Sequence, residues 1–171
     1  TNFMEDFGLV SIITPTWACA PFICETIRSI QAQTYQNWEL LIQDDCSTDN
    51  SYDVLMSSIE QNNIPEYKYT IVSHKQNEGI AVSRADCIAN AKGEYVQFVD
   101  SDDWIEPDMT ETLVEATKSS QIDLVGCYFI KDFLSGKQTR HSENYSQSCA
   151  ENMVICINSV SYTHLPLPTK R

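Results

Sequence analysis

The sequence predicts an α/β protein with a mostly parallel sheet and helices on both faces. Short apolar runs rich in β-branched residues alternate with segments of helical periodicity. A strand and a helix recur about every thirty residues, which is the spacing of the βαβ unit. The length of 171 residues and the hydrophobic content of 42% fit one domain with its own core.

The first half of the chain contains three predicted strands and two predicted helices. Pro15 is expected to end the first strand, and Pro21 occupies a position that a first helical residue tolerates. Apolar residues near i, i+4 and i+7 mark the first helix, and the second is marked by Tyr52 to Ile59. The strands are assigned to residues 9–14, 38–43 and 67–72.

The second half continues the alternation of strands and helices. A helix is predicted over Ile80–Lys92, with Gly93 as its left-handed stop. Pro107 is expected to begin a further helix. The remaining assignments are a strand over 95–99, an apolar strand over 122–130 and a polar loop over 135–152.

Composition excludes several classes of function. The net charge of −13 argues against a nucleic-acid-binding surface, although a metal allows an acidic protein to bind a nucleotide. The seven cysteines are scattered and form no Cys-x-x-Cys pair, which indicates a reducing cytoplasm rather than a zinc site or disulfide framework. No apolar run reaches the length of a membrane-spanning helix. We therefore expect a cytoplasmic protein, with any association with the inner face of the plasma membrane made through other regions.

Three carboxylates follow the predicted strand at 95–99. Asp100 and Asp102 share one face of an extended segment, and Asp103 is adjacent. Ligands of open α/β sheets bind at the carboxyl ends of the strands, and carboxylate oxygens suit Mg²⁺ or Mn²⁺. The cluster therefore predicts either a divalent metal site or an acidic turn that caps the next helix.

Polar residues also follow the first two strands, and parallel strands end at one edge of a sheet. Trp17, after Pro15 and Thr16, is either a stacking surface for a planar ring or a tryptophan that packs in the core or against a helix. Asp45 either accepts hydrogen bonds from a base or ribose, or caps the next helix. Arg84 either pairs with a diphosphate or a carboxylate of the site, or lies on a solvated helix face.

Several other kinds of site lack their required residues. The sequence has neither a Gly-x-Gly-x-x-Gly motif nor a Walker A lysine, and residues 44–51 lack the glycine and closing Glu of a calcium loop. His74, His141 and His164 lie in unrelated contexts, so no Ser-His-Asp set is predicted. A phosphatase of the haloacid dehalogenase type also places Asp-x-Asp after a strand, although that motif normally opens its domain.

An ordered series of motifs resembles the family 2 glycosyltransferases, which have the GT-A fold. The series runs from about Leu9 to Ile130 and includes the acidic clusters described above. Its segments are residues 10–17, 33–40, 44–49, 77–79, 83–84 and 91–103. The resemblance implies a Rossmann-like nucleotide-diphospho-sugar transferase fold that is incomplete at its C-terminus.

The resemblance also implies roles for individual residues. Family members bind a nucleotide-diphosphate sugar and a divalent metal, Mn²⁺ or Mg²⁺. Asp102 would be the direct metal ligand of the Asp-x-Asp motif, Asp100 would lie by the ribose and the metal, and Asp45 would hydrogen-bond the base. The other implied substrate-binding residues are Pro15, Thr16 and Trp17 of the base pocket, with Asn77, Gly79, Arg84 and Ser101.

Three positions depart from the family pattern. Ala18 and Ala85 stand where the family commonly has Asn, and Cys46 stands where it usually has Gly. Loss of glycine at Cys46 is expected to tighten the turn that presents Asp45. No residue here matches the family's catalytic carboxylate, which is expected beyond this stretch of chain, so these residues alone are expected to be inactive in sugar transfer.

The resemblance divides the chain into three regions. Residues 1–132, with a core from about residue 9, would form the nucleotide-sugar-binding domain, and residues 133–159 would begin the acceptor side. Val160–Leu165 resembles the translation of a sequencing-library adapter, so residues 160–171 are expected to be a non-native tail.

The implied activity is transfer of a sugar from a nucleotide-diphosphate sugar to the hydroxyl of a saccharide or lipid-linked acceptor. Inversion at the anomeric carbon and a place in bacterial surface polysaccharide synthesis are also implied. A non-catalytic nucleotide-sugar-binding remnant and a dehalogenase-type phosphatase are the alternatives. No nucleic-acid partner is expected.

Overall fold

The computed structural model describes residues 8–118, 124–126, 129–132, 138–141 and 155–158. The helices are α1 (Ile23–Gln31), α2 (Ser51–Gln61), α3 (Ile80–Asn90) and α4 (Met109–Lys118), and a 3-10 helix covers Glu66–Lys68. The strands are β1 (Val10–Thr16), β2 (Trp38–Asp44), β3 (Tyr69–Ser73), β4 (Tyr95–Phe98), β5 (Leu124–Gly126), β6 (Phe129–Asp132), β7 (Gln138–His141) and β8 (Ile155–Asn158).

The main sheet has six strands in the order β3-β2-β1-β4-β8-β5. Its first four strands are parallel, whereas β8 runs antiparallel to both of its neighbours, β4 and β5. Strands β6 and β7 form a separate antiparallel pair. The prediction of a mostly parallel α/β sheet is confirmed. The strand order reverses between β1 and β4, and such a reversal opens a crevice at the carboxyl ends of the strands.

Helices cover both faces of the sheet, as predicted. On one face, residues of α1, α2 and α4 join a large apolar cluster that includes Ile12. On the other face, Cys87 of α3 packs against Ile13, Leu41 and Val96. Ile12 and Ile13 are both fully buried because successive side chains of β1 enter opposite faces. This double burial explains why β1 is a continuous apolar run rather than an alternating one.

The prediction that Pro15 ends the first strand is wrong, because β1 continues to Thr16. The carbonyl of Ile13 accepts a bond from Val99, so the backbone groups of Ile13 and, two residues on, of Pro15 face β4. Pairing with β4 stops at Ile13, opposite Phe98. The missing N–H of Pro15 therefore falls beyond the ladder and removes no bond.

The prediction that Gly93 forms a left-handed stop is also wrong. The helix ends at Asn90, and Ala91 follows it in an extended conformation. Glycine is needed at position 93 for space, because a Cβ there would lie 2.6 Å from the carbonyl oxygen of Leu9 and 2.7 Å from the amide nitrogen of Ser11. Gly93 lets the chain before β4 approach the start of β1.

Other predicted boundaries change for local reasons. The turn that precedes α1 is closed by the carbonyl of Cys19, which accepts bonds from Phe22 and Ile23, so Pro21 lies outside the helix. The 3-10 helix occupies the start of the third predicted strand. The last predicted strand is divided between β5 and β6, and β7 lies inside the predicted loop at 135–152. The predicted tail, residues 160–171, lies outside the described residues and stays a prediction.

Candidate functional site

The carboxyl ends of β1, β2 and β4 meet at one edge of the sheet, where the strand order reverses. The loops after β1 and β2 are joined directly, because the amide of Asp45 donates to the carbonyl of Thr16 over 2.9 Å. The amide of His74, just after β3, donates to the carbonyl of Asp44 over 2.8 Å. The predicted convergence of polar strand ends at one edge is therefore what the fold produces.

Asp45 lies at the centre of this edge, and its side chain is 5% exposed. Oδ1 accepts bonds from the amide of Glu78 at 2.8 Å and from Nδ1 of His74 at 2.7 Å, while Oδ2 accepts the amide of Gly79 at 2.7 Å. Burial alone would raise the pKa of Asp45, but these three donors lower it below its ordinary value. Asp45 is therefore held as a carboxylate.

The alternative that Asp45 caps the next helix is replaced by a different arrangement. Near the start of α2, the carboxylate of Asp49 accepts both the amide and the hydroxyl of Ser51. Asp45 binds the amides that precede α3 instead, where Gly79 is the N-cap residue with φ of 89°. Asp45 thus joins the end of β2 to the beginning of α3.

His74 is the residue of this site that sequence reasoning missed. Its Nδ1 lies 2.7 Å from Asp45 and its Nε2 lies 2.8 Å from Oδ2 of Asp86, which belongs to α3. Hydrogen bonds to Asp45 and then to Asp86 raise the pKa of His74. A usable signal was its place directly after the third strand, at the same edge as the acidic clusters.

The predicted base-pocket residues divide into buried and exposed members. Pro15 and Thr16 are buried, and the Thr16 hydroxyl donates to the carbonyl of Gln43 over 3.3 Å. Trp17 is 57% exposed, so it does not belong to the core, while its stacking on a base stays a prediction. The amide of Ala18 next to it donates to Oγ of Ser47 over 3.2 Å, which places the Trp17 loop against the loop after β2.

Two of the three departures from the family pattern fall on left-handed backbone. Ala18 has φ of 47° and Cys46 has φ of 59°. Asn and Gly tolerate this region, whereas residues with an ordinary Cβ are disfavoured there by about 1–2 kcal/mol. The chain therefore keeps a backbone shape that suits Asn and Gly while carrying less suitable residues at both positions.

Arg84 of α3 forms an ion pair with Asp100, which lies two residues after β4. Nη2 of Arg84 lies 2.6 Å and 2.9 Å from the two carboxylate oxygens of Asp100. The two side chains are 36% and 37% exposed, so of the two alternatives for Arg84 the structure shows the pairing with a carboxylate rather than an unpaired side chain on a solvated helix face. Within the described part of the chain, Nε of Arg84 is buried without a hydrogen-bond partner. Asp100 is therefore held by one nitrogen of the guanidinium, while Nε lies away from solvent.

The acidic loop after β4 is more open than the loop after β2. Asp102 and Asp103 both have exposed surface. The pKa of Asp103 is nevertheless raised, first because neighbouring residues remove part of the water around its carboxyl group and then because the charges of Asp102 and Asp100 repel it. Among the described residues, no group of three or more acidic, His or Cys side chains is arranged to hold a metal alone. Mg²⁺-type ions commonly take one or two carboxylates and complete their shell with phosphate oxygens and water. The crowded, exposed carboxylates fit that mode.

The remaining predicted substrate-binding residues act here through their backbone or amide groups. Asn77 is exposed and its Nδ2 donates to the carbonyl of Asp45 over 3.3 Å. Ser101 is buried, and its carbonyl accepts the hydroxyl of Thr26 in α1 over 3.0 Å. These bonds fix the two loops that border the crevice. Their contacts with a substrate stay predictions.

Comparison of the sequence with known families assigns the chain to one of them. The profile of "Glycosyl transferase family 2" matches residues 11–167. The chain belongs to glycosyl transferase family 2. The predicted family membership is confirmed, and the matched residues contain every strand end described above except the first residue of β1.

Relatives and solved structures agree with this family assignment. TuaG of Bacillus subtilis (strain 168), named for teichuronic acid biosynthesis, is 37% identical over 107 residues, which are 63% of this chain and 41% of TuaG. S. aureus TarS 1–349 in complex with UDP has a TM-score of 0.62 at 25% identity, covering 68% of this chain and 34% of that one. The mannosyltransferase PcManGT from Pyrobaculum calidifontis, in complex with GDP-Man and Mn²⁺, has a TM-score of 0.64 at 27% identity, covering 70% and 35%.

The family 2 chain spans less than half the length of each of these three proteins. The predicted GT-A-like α/β fold is confirmed by the two structural matches. Within the described residues, no helix is long and apolar enough to cross a lipid bilayer.

Proposed function

We propose that this chain is the nucleotide-sugar-binding part of an inverting glycosyltransferase of bacterial surface polysaccharide synthesis. The donor is a nucleotide-diphosphate sugar, and the acceptor is the hydroxyl of a saccharide or of a lipid-linked saccharide. In the transfer, the acceptor oxygen bonds to the anomeric carbon, the bond to the diphosphate oxygen breaks, and a base takes the hydroxyl proton.

The observation that carries this proposal is the pairing of two different loops across the crevice between β1 and β4. The joined loops after β1 and β2 carry the exposed ring of Trp17 and the buried carboxylate of Asp45. The other side offers the exposed carboxylate of Asp102 beside Asp100 and Arg84. A nucleoside diphosphate has the matching asymmetry, because a planar base lies at one end and a charged diphosphate at the other.

The metal partner is a divalent cation, Mn²⁺ or Mg²⁺, held by Asp102 with Asp100. When bound, such an ion neutralises charge that develops on the departing diphosphate. The likeness to PcManGT, which is in complex with GDP-Man and Mn²⁺, supports this choice. Arg84 holds Asp100 in place through Nη2, and its positive charge favours an anionic ligand nearby.

The residues proposed to contact the nucleobase would orient the donor and would take no part in the transfer itself. A carboxylate has about four acceptor positions, and protein donors use two on Oδ1 and one on Oδ2 of Asp45. The open position on Oδ2 suits an N–H of a nucleobase. Trp17 would stack on the same ring.

Calorimetric titration of the 171-residue chain with UDP and with GDP, in the presence and absence of Mn²⁺, tests the proposal. We expect metal-dependent binding of at least one nucleotide, and we expect Asp102→Asn to weaken it by about tenfold or more, because a direct charged ligand is lost. Asp108→Asn is the matched control, since Asp108 is an exposed aspartate of the same connection between β4 and α4.

The outcomes separate the metal role from a general loss of negative charge. Equal weakening by Asp102→Asn and Asp108→Asn would show that the metal is not held where we place it. Failure of both nucleotides to bind the unaltered chain would contradict the proposed donor class. Circular dichroism of the three proteins checks that each has the same fold.

A further inference from the structure

His74 joins three elements of the proposed nucleotide site through one imidazole ring. The ring follows β3, contacts Asp45 after β2 and contacts Asp86 in α3. Its side chain is 10% exposed and that of Asp45 is 5% exposed, whereas that of Asp86 is 49% exposed. The contact with Asp45 is thus shielded from water, and the contact with Asp86 is open to it.

The two contacts require a particular protonation state. A neutral imidazole carries one N–H and one bare nitrogen, so it can donate to only one of two carboxylates. The bare nitrogen would then face the other carboxylate at less than 3 Å, lone pair against lone pair. Both short contacts are attractive together when each ring nitrogen carries a proton.

The charges around the ring favour the imidazolium form. Asp45 from the loop after β2, Asp86 from α3 and Glu78 from the loop before α3 act on it, and all three are acidic. Burial opposes the charged form, yet the balance raises the pKa of His74. Asp44 takes part through its carbonyl, which accepts the backbone amide of His74.

We infer that His74 is a positioning residue for nucleotide recognition. As an imidazolium, it holds the Asp45 carboxylate in a fixed position relative to the start of α3. This inference rests on the proposed function and adds a pH dependence to it. The bond from Nδ1 to Oδ1 fixes the carboxylate, whose Oδ2 accepts one described bond, from the amide of Gly79. The bond from Nε2 to Asp86 fixes α3, which also carries Arg84.

Two substitutions separate the roles of the two ring nitrogens. The amide nitrogen of Asn comes near the place of Nδ1, so His74→Asn retains a donor for Asp45 and loses the one for Asp86. The amide nitrogen of Gln comes near the place of Nε2, so His74→Gln does the reverse. Neither side chain titrates, and both variants therefore also serve as controls for titration of the nucleotide itself.

The experiment measures the affinity of the 171-residue chain and both variants for UDP or GDP with Mg²⁺, from about pH 6 to about pH 9. We expect the unaltered chain to lose about three- to tenfold in affinity with rising pH relative to both variants, because one donor is lost. His74→Asn is expected to bind about three- to tenfold more tightly than His74→Gln at the acidic end.

A third variant tests the role of Asp86. Asp86→Asn removes one of the acidic groups that favour the imidazolium. The pH at the midpoint of the change in nucleotide affinity and the pH at the midpoint of the NMR titration of the His74 ring protons should therefore both be lower. A purely structural role would change the thermal midpoint in these variants without moving the two pH profiles together.

The results distinguish failure of the inference from failure of the proposed function. If the unaltered chain binds nucleotide and its pH profile parallels that of His74→Asn, or if the Asn and Gln variants bind equally, the inference is wrong and the proposed function stands. If the unaltered chain binds neither nucleotide at any pH, the proposed function is wrong and the inference falls with it.

Discussion

The loops after β2 and after β4 both carry aspartates near the carboxyl end of a parallel strand, yet they are built in opposite ways. The Asp45 carboxylate is buried and takes three protein donors. Asp102 and Asp103 are exposed and lie close enough for their charges to repel. Protein donors stabilise most of the negative charge of the first loop, whereas the carboxylates of the second loop are exposed to water.

Acidic residues at a strand end therefore do not all have the same structural role. Backbone amides of Glu78 and Gly79 reach Asp45 because the chain between β3 and α3 folds over it. No comparable segment among the described residues covers Asp102. The surrounding loop, rather than the aspartate itself, decides whether the carboxylate stabilises the fold or remains available.

The largest expected effect separates the two loops by stability. Asp45→Asn puts an amide against His74 and two backbone N–H groups, so we expect the free energy of unfolding to fall by about 2–4 kcal/mol. Asp102→Asn removes an exposed charge among like charges, so we expect a change within about 0.5 kcal/mol. Urea unfolding of both variants measures the difference, and equal losses would contradict the contrast between the loops.

A smaller effect is expected from pH, and it concerns the loop after β2. The pKa of His74 is raised above 6.5, so its stabilisation is complete below pH 6.5 and is lost as pH rises through the folded-state pKa. The pKa of Asp45 is lowered below 3.8, so its stabilisation is complete above pH 3.8 and is lost as pH falls through the folded-state pKa.

These two groups together give the loop after β2 its greatest stability in the mildly acidic range between those values. Loss of the imidazolium contacts on the alkaline side should reduce the free energy of unfolding by about 1 kcal/mol. Thermal unfolding across pH measures this limb. His74→Asn should flatten it, and an unchanged alkaline limb in that variant would assign the loss to other groups.

The smallest expected effect concerns the left-handed turn that presents Asp45. Cys46→Gly relieves the φ of 59° but gives the unfolded chain more freedom, so we expect a net gain of about 0.5–1 kcal/mol. Cys24→Gly is the matched control, because Cys24 is exposed in α1 and glycine is a weaker helix former than cysteine by about 0.3 kcal/mol. A loss of stability in both variants would show that the turn is not strained.

The sequence was sufficient to predict the parallel α/β fold because its strands are continuous apolar runs that end in polar residues. In a segment such as Val96–Val99, the apolar residues predict a buried strand, and Asp100 after them marks its carboxyl end. The family was predicted from motifs that lie in these same segments. Pairing of Arg84 with a carboxylate of the site was one of the alternatives that the sequence left open.

Features that depend on distant contacts were beyond local reasoning. Gly93 was assigned a left-handed turn, but its lack of a side chain is explained by Leu9 and Ser11, which lie far from it in sequence. His74 looked isolated because Asp45 and Asp86 come from separate elements. Its role follows from the order of the strands, which no single segment encodes.

The place of β8 in the sheet has a consequence for synthesis and folding of the chain. Tyr95 of β4 pairs with Asn158, so β4 acquires its second neighbour long after its own residues have left the ribosome. Until then the strand that leads into Asp100 has one open edge, and open edges recruit other extended chains. The nascent chain therefore depends on folding β1 to β3 early and on protection of β4 until β8 arrives.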